Sequence, residues 1–148
     1  MIVDTSVVMA MLLREPEARV FVELMAQAPR RWLSAATYVE LSAVVDGRRD
    51  AALSGALDAI LASSRLEIAD FTARQAHIAR DAYQRFGRGS GHPARLNMGD
   101  CFAYALARDI GEPLLFKGRD FALTDIELVT EPDRHRRLSE VVAGYAGG

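Results

Sequence analysis

An α/β domain built on a mostly parallel sheet is the fold class this sequence predicts. Short apolar runs recur along the chain, stretches of helical spacing separate them, and half of the 148 residues are hydrophobic. Strands that alternate with helices imply a parallel sheet covered on both faces. A chain of this length supplies one such domain.

Residues 1–3 form the first predicted strand. Residues 6–13 predict a helix that Thr5 or Ser6 can cap. Pro16 suits a first helical turn, and residues 17–28 continue with Ala18, Phe21, Val22 and Met25 on one face. Residues 31–34 are the second strand. Helices follow over residues 36–45 and 51–62, parted by Gly47. Residues 65–69 are the third strand, after which Thr72 caps a helix to Phe86. Residues 87–96 are a polar glycine loop. It follows a helix and lacks the Gly-Lys-Ser/Thr ending of a phosphate cradle, so it reads as a mobile loop. Residues 98–109 are helical and Gly111 stops them. Residues 114–116 and 127–129 are the last strands. No internal repeat or interdomain linker interrupts this order.

The tail differs. Arg134, His135, Arg136 and Arg137 open it, and Leu138, Val141, Val142 and Tyr145 follow at the spacing of a short amphipathic helix. Elsewhere, no apolar run reaches the ~20 residues of a membrane span. Asp4 and Arg14 break up the apolar start, so no secretory leader is expected. Cys101 is the only cysteine, which rules out an intrachain disulfide or a cysteine zinc site. Both points lead us to expect a cytoplasmic protein. The net charge of −2 does not mark a bulk nucleic-acid binder. Lys117 is the only lysine, however, and arginine is the better bidentate partner for phosphate.

Four acids stand where a lone carboxylate is costly. Asp4 ends an apolar strand, Glu40 interrupts Tyr38-Val39-x-Leu41, Asp100 opens an apolar helix, and Asp120 follows a strand and turn. Each has a structural role open to it. Asp4 can cap a helix, Asp120 can serve a turn, and Thr37-x-x-Glu40 and Asn97-x-x-Asp100 have capping-box spacing. Helical wheels place Glu40 with Ala36, Ala43 and Val44, and Asp100 with Ala103, Tyr104 and Ala107, so both point toward the core. Should the four converge, their repulsion calls for a hard divalent cation. His77, His92 and His135 show no zinc-ligand spacing, so oxygen ligands and Mg²⁺ or Mn²⁺ fit better. Ser6 is placed to hold a ligand carboxylate or a water, or to cap the helix. Arg88 and Arg95 flank the glycine loop as candidate contacts to a phosphate backbone.

These residues resemble a known family. Val3-Asp4-Thr5-Ser6, Tyr38-Val39-Glu40, the run from His92 through Asp100 to Ala107, and the run from Leu114 through Asp120 to Thr124-Asp125-Ile126 are together similar to PIN-domain ribonucleases, and among them to VapC toxins. The likeness covers residues 1–130 and leaves residues 131–148 as a basic tail. It implies a three-layer α/β/α PIN-like domain and Mg²⁺- or Mn²⁺-dependent cleavage of RNA. On the matching positions, Asp4, Glu40, Asp100 and Asp120 correspond to the acidic quartet. Asp4 and Asp100 are the firmest metal ligands, and Glu40 binds directly, through water, or orients the attacking water. Asp120 or, less readily, Asp125 supports them, as does Ser6. The likeness also implies a homodimer and a VapB-type antitoxin. Two rivals stay open. Asp4-x-Ser6-Val7 also resembles the opening of haloacid dehalogenase-type phosphatases, with Lys117 and Asp120 for later motifs. An inactive PIN-like binding module is the other.

Overall fold

The computed structural model describes residues 1–129 and shows three layers. In chain order the elements are β1 (Ile2–Val3), α1 (Thr5–Leu12), α2 (Ala18–Gln27), β2 (Arg31–Ser34), α3 (Ala35–Asp46), α4 (Ala51–Ser63), β3 (Leu66–Ala69), α5 (Ala73–Phe86), α6 (Met98–Ile110) and β4 (Leu114–Leu115), with a 3-10 turn at Asp120–Leu123. The expected tail from residue 131 lies outside the described residues. Among those described, no helix is long and apolar enough to cross a membrane.

All four strands are parallel, in the order β3-β2-β1-β4. Ile2 pairs with both Trp32 and Leu114, and Val3 with Leu115. Side chains alternate faces along a strand, and this divides the core in two. Ile2 and Leu114 join the cluster under α5 and α6, around Phe86, Tyr104 and Leu106. Met1, Val3 and Leu115 join the cluster under α1 to α4, around Val7, Phe21, Leu41 and Leu57. Because both faces are covered, Ile2, Val3 and Leu114 are wholly buried.

The helix ends follow their local chemistry. Thr72 Oγ1 accepts from Gln75 N–H at 3.2 Å, as expected of a cap. Asp50 caps α4 through Ala52 and Leu53 N–H. Gly111 ends α6 at φ 70°, a left-handed conformation that suits glycine.

Three expectations need correction. Residues 127–129 make only an isolated bridge, Leu128 beside Leu114, because β4 offers just two residues to pair with. The buried side of α3 is Thr37, Leu41 and Val45, while Ala43 and Val44 face outward. Glu40 therefore sits on the rim of the core, not over it. The glycine loop is closed rather than open. Arg88 N–H donates to Leu96 carbonyl at 3.0 Å, Leu96 N–H to Phe86 carbonyl at 2.9 Å, and Ala94 and Leu96 are fully buried.

The strand order fixes where a ligand belongs. From β1 the chain builds outward through β2 and β3, then returns to lay β4 on the other side. The crevice at such a switch point, beyond the strand carboxyl ends, is where open α/β sheets bind ligands. Here it lies between β1 and β4.

Candidate active site

Asp4 follows β1 directly and is 5% exposed. Its N–H donates to Leu115 carbonyl at 3.0 Å, which continues the ladder with β4. Its side chain caps α1. Oδ2 accepts from Ser6 N–H at 3.0 Å and from Ser6 Oγ at 2.7 Å. Ser6 Oγ in turn accepts from Lys117 N–H at 2.9 Å, just past β4. One hydroxyl thus ties both walls of the crevice to the first acid. Burial pushes the Asp4 carboxyl up, the Ser6 bonds pull it down, and the charge of Asp120 adds to the rise.

Asp100 sits in the first turn of α6. Asp100 N–H donates to Asn97 Oδ1 at 2.8 Å, and Asn97 N–H donates to Asp100 Oδ2 at 2.7 Å, a complete capping box. Burial above all, helped by the charges of Asp4, Asp120 and Glu40 and opposed by the Asn97 bond, lifts its carboxyl to about 6. Capping and site placement are therefore one arrangement here, not competing ones.

Glu40 makes no capping box, because α3 begins at Ala35, two residues before Thr37. Half-buried, its carboxyl is raised by burial and by Asp4. Its closest feature is a residue that sequence reasoning passed over. A Cβ on Gly99 would come within 2.7 Å of the Glu40 carboxylate carbon and nearer still to both oxygens. Gly99 is the hollow in which that carboxylate lies. The only sequence signal was its position next to Asp100 in the first turn of α6.

Asp120 opens the 3-10 turn and is exposed. The turn is pinned by Phe121, 2% exposed, whose ring stands edge-on to Phe116 at 5.2 Å. Asp120 acts electrostatically on both Asp4 and Asp100. Asp125 belongs elsewhere. It accepts from Tyr104 OH at 2.6 Å and from Arg85 Nη2 at 2.9 Å. Burial pushes its carboxyl up, but these bonds and the charges of Arg85 and Arg108 outweigh that and hold it below the usual range. Arg88 and Arg95 are exposed on the closed loop.

Of the expected acids, Asp4, Asp120 and Glu40 each bear electrostatically on Asp100. Among the described residues, no three carboxylate, histidine or cysteine side chains are gathered tightly enough to hold an ion as they stand. The donor set still fits a hard divalent cation, since it consists of carboxylate oxygens beside a hollow that a Cβ would fill. Soft ligands are not on offer. Cys101 is buried, and burial followed by the charge of Asp100 pushes its thiol up to about 12. His92 Nδ1 accepts from Ala94 N–H at 3.1 Å. A cleft of about 570 Å³ adjoins Glu40, Asn97 and Gly99, with Val39, Met98 and Phe102 on its apolar walls.

The phosphatase alternative loses its key groups. Ser6 replaces that family's second aspartate and is already bonded to Asp4. The Lys117 ammonium pairs with Glu15 and, at 3.6 Å, with Glu17.

Comparison with known proteins agrees with this geometry. The PIN domain family model matches residues 1–127. Ribonuclease VapC28 of Mycobacterium tuberculosis is 50% identical over 127 residues, covering 86% of this chain and 96% of the relative. Ribonuclease VapC42 of the same organism is 46% identical over 126 residues, covering 85% and 96%. Among solved structures, VapBC2 from Rickettsia felis bound to a promoter DNA fragment aligns with TM-score 0.69 at 19% identity, covering 86% of this chain and 96% of that one. Mycobacterium tuberculosis VapC20, described as a sarcin–ricin loop cleaving toxin, aligns with TM-score 0.66 at 20% identity, covering 88% and 98%. With the PIN family model matching residues 1–127 and half of the 127 residues aligned with VapC28 identical, the chain belongs to the PIN-domain family, among the VapC ribonucleases.

Proposed function

We propose that this protein is the toxin of a type II toxin–antitoxin pair, a Mg²⁺- or Mn²⁺-dependent endoribonuclease that a VapB-type antitoxin keeps silent. What supports the reading is the 50% identity to a VapC ribonuclease over 127 residues, with Asp4, Asp120 and Glu40 all bearing electrostatically on Asp100. Divalent-metal dependence is general among PIN-domain VapC ribonucleases, and the choice of Mg²⁺ or Mn²⁺ rests on the all-oxygen donor set.

We assign Asp4 and Asp100 to hold the cation, with Glu40 beside them. When bound, the cation polarises a phosphoryl oxygen and makes water a stronger nucleophile. Ser6 keeps the Asp4 carboxylate in one orientation. Glu40, raised by burial and by Asp4, orients the attacking water and is tuned to accept its proton. Asp120 supports the others from the rim through its charge. Arg88 and Arg95, both exposed, meet the RNA backbone.

The partners in this reading are RNA, the antitoxin and a second copy of the chain. A solved toxin–antitoxin complex from Klebsiella pneumoniae aligns with TM-score 0.64 and supports the antitoxin. Val39 and Met98, 65% and 67% exposed, form an apolar strip suited to the second copy. The protein works in the cytoplasm.

The test uses purified, antitoxin-free protein and structured RNAs with Mg²⁺ or Mn²⁺. Wild type should cut, and Asp4→Asn and Asp100→Asn should each lower the rate by roughly 10²-fold or more without unfolding the protein. A folded wild type that cuts nothing under these conditions supports the inactive binding module instead.

A further inference from the structure

We propose that Asp125 is a positioning residue: through Tyr104 and Arg85 it clamps the turn that carries Asp120 against the helix that carries Asp100. The inference rests on the ribonuclease reading and assigns Asp125 a different job from the acids it was grouped with.

Asp120 has little to hold it. Its 3-10 turn is four residues long, and Arg119 at its start makes no side-chain capping bond. Phe121 pins the turn to the core beside Phe116, but among the described residues no side-chain hydrogen bond joins Asp120–Leu123 to α6. Asp125 lies five residues on and supplies the missing fixed point. Its Oδ1 accepts from Tyr104 OH at 2.6 Å. Tyr104 is 1% exposed and stands one helical turn after Asp100, so its ring cannot move without moving α6. Its Oδ2 accepts from Arg85 Nη2 at 2.9 Å. Arg85 is held as well, by Asp81 at 3.3 Å and by the Phe86 ring 4.5 Å from its guanidinium carbon.

The clamp reaches further. Phe86 stands 6.0 Å from the Tyr104 ring and edge-on to His92 at 4.9 Å. Phe86 carbonyl accepts from Leu96 N–H, and Leu96 leads into the Asn97 cap of Asp100. A bidentate, doubly charge-assisted acceptor at the centre of such a set is suited to holding geometry. Outer partners that orient ligating carboxylates act in the same way in metal sites.

The experiment compares Tyr104→Phe, Asp125→Asn, Asp125→Ala and Asp120→Asn. Tyr104→Phe keeps every carboxylate and a buried ring, so the fold survives. It should speed amide hydrogen exchange in residues 119–126, raise the Mn²⁺ midpoint for thermal stabilisation several-fold and lower kcat for RNA cleavage by about tenfold, with KM within about twofold. Asp125→Ala, which also frees Arg85, should lose at least as much, and the double variant should be no worse than Asp125→Ala. Asp125→Asn keeps an oxygen for Tyr104 and should recover most of the loss. Two results overturn the proposal. One is Asp125→Asn weakening Mn²⁺ as much as Asp120→Asn while Tyr104→Phe changes nothing, which makes Asp125 a ligand. The other is Tyr104→Phe lowering only the melting temperature, which makes the network packing alone. If wild type cuts no RNA, the ribonuclease reading fails, yet exchange and the Mn²⁺ midpoint still decide the clamp.

Discussion

Replacing Gly99 with alanine separates the stability of α6 from the work of the site. Gly99 sits in the first turn of a helix, where alanine is the better residue by up to ~1 kcal/mol. Its φ raises no objection to a side chain, so the backbone needs no change. The added Cβ instead meets the Glu40 carboxylate, 2.7 Å from its carbon. Carbon atoms rest about 3.5–4.0 Å apart, so the carboxylate must retreat by about 1 Å. It sits at the end of a flexible side chain on the rim of the core, which makes the retreat cheap for folding. For catalysis the same shift is expensive, since a misplacement of about 1 Å costs on the order of 10²-fold in rate, or ~3 kcal/mol of transition-state stabilisation. Gly99→Ala should therefore melt at or slightly above the wild-type temperature and cut RNA about 10²-fold more slowly. Glu40→Gln should be similarly slow, and the double variant no slower than either, because both changes disable one group. The measurements are thermal unfolding and single-turnover cleavage with Mn²⁺. Full activity in a folded Gly99→Ala protein would show that Glu40 does not work from the place where it lies, and the site would have to be redrawn without it.

Two further outcomes follow from the electrostatics. The Asp100 carboxyl rises from its ordinary 3.8 to about 6 in the fold, so between those values the native state holds a proton that the unfolded state has released. Metal-free protein should lose stability as pH rises through this window, by ~3 kcal/mol for a fully buried group and on the order of 1–2 kcal/mol once its partial exposure is allowed for. Denaturant titration at either end of the window should show the loss in wild type and little of it in Asp100→Asn; equal slopes in the two proteins would refute the assignment. Ser6→Ala removes a charge-assisted bond to the buried Asp4 carboxylate and should cost roughly 1.5–3 kcal/mol at neutral pH. Because the Ser6 hydroxyl bond helps hold the Asp4 carboxyl down, its loss should move the acid limb of the cleavage profile to higher pH, and an unmoved limb would mean that Asp4 does not limit the rate.

Much of this site could be read from local pattern. Asp4 was visible because an acid at the end of Ile2–Val3 has only a cap or a ligand to be, and Asp100 because Ala103, Tyr104 and Ala107 behind it are indeed buried. Residues 114–116 read as a strand, of which Leu114–Leu115 form β4, and their pairing with β1 explains why residues far apart in sequence meet. Local pattern failed where the deciding partner was distant. Glu40 shares its wheel with Ala43 and Val44, but among the described residues nothing covers those two, and they face outward. The hollow at Gly99 exists only because α3 and α6 lie side by side. Thr37 and Glu40 have capping-box spacing, yet Ser34 ends β2 and starts the helix too early for Thr37 to act as its cap. Asp125 carries the same letter as Asp120, and only Tyr104 and Arg85 reveal that it serves a different purpose.

The order in which the sheet is assembled has a bearing on safety within the cell that makes the protein. Among the described residues β4 is the last strand to leave the ribosome, and it supplies the second wall of the crevice. Until it docks on β1, Ser6 lacks its contact with Lys117, and Asp120 has nowhere to stand. A chain cut short before β4 therefore lacks one wall of the crevice, and should leave the transcripts around it intact.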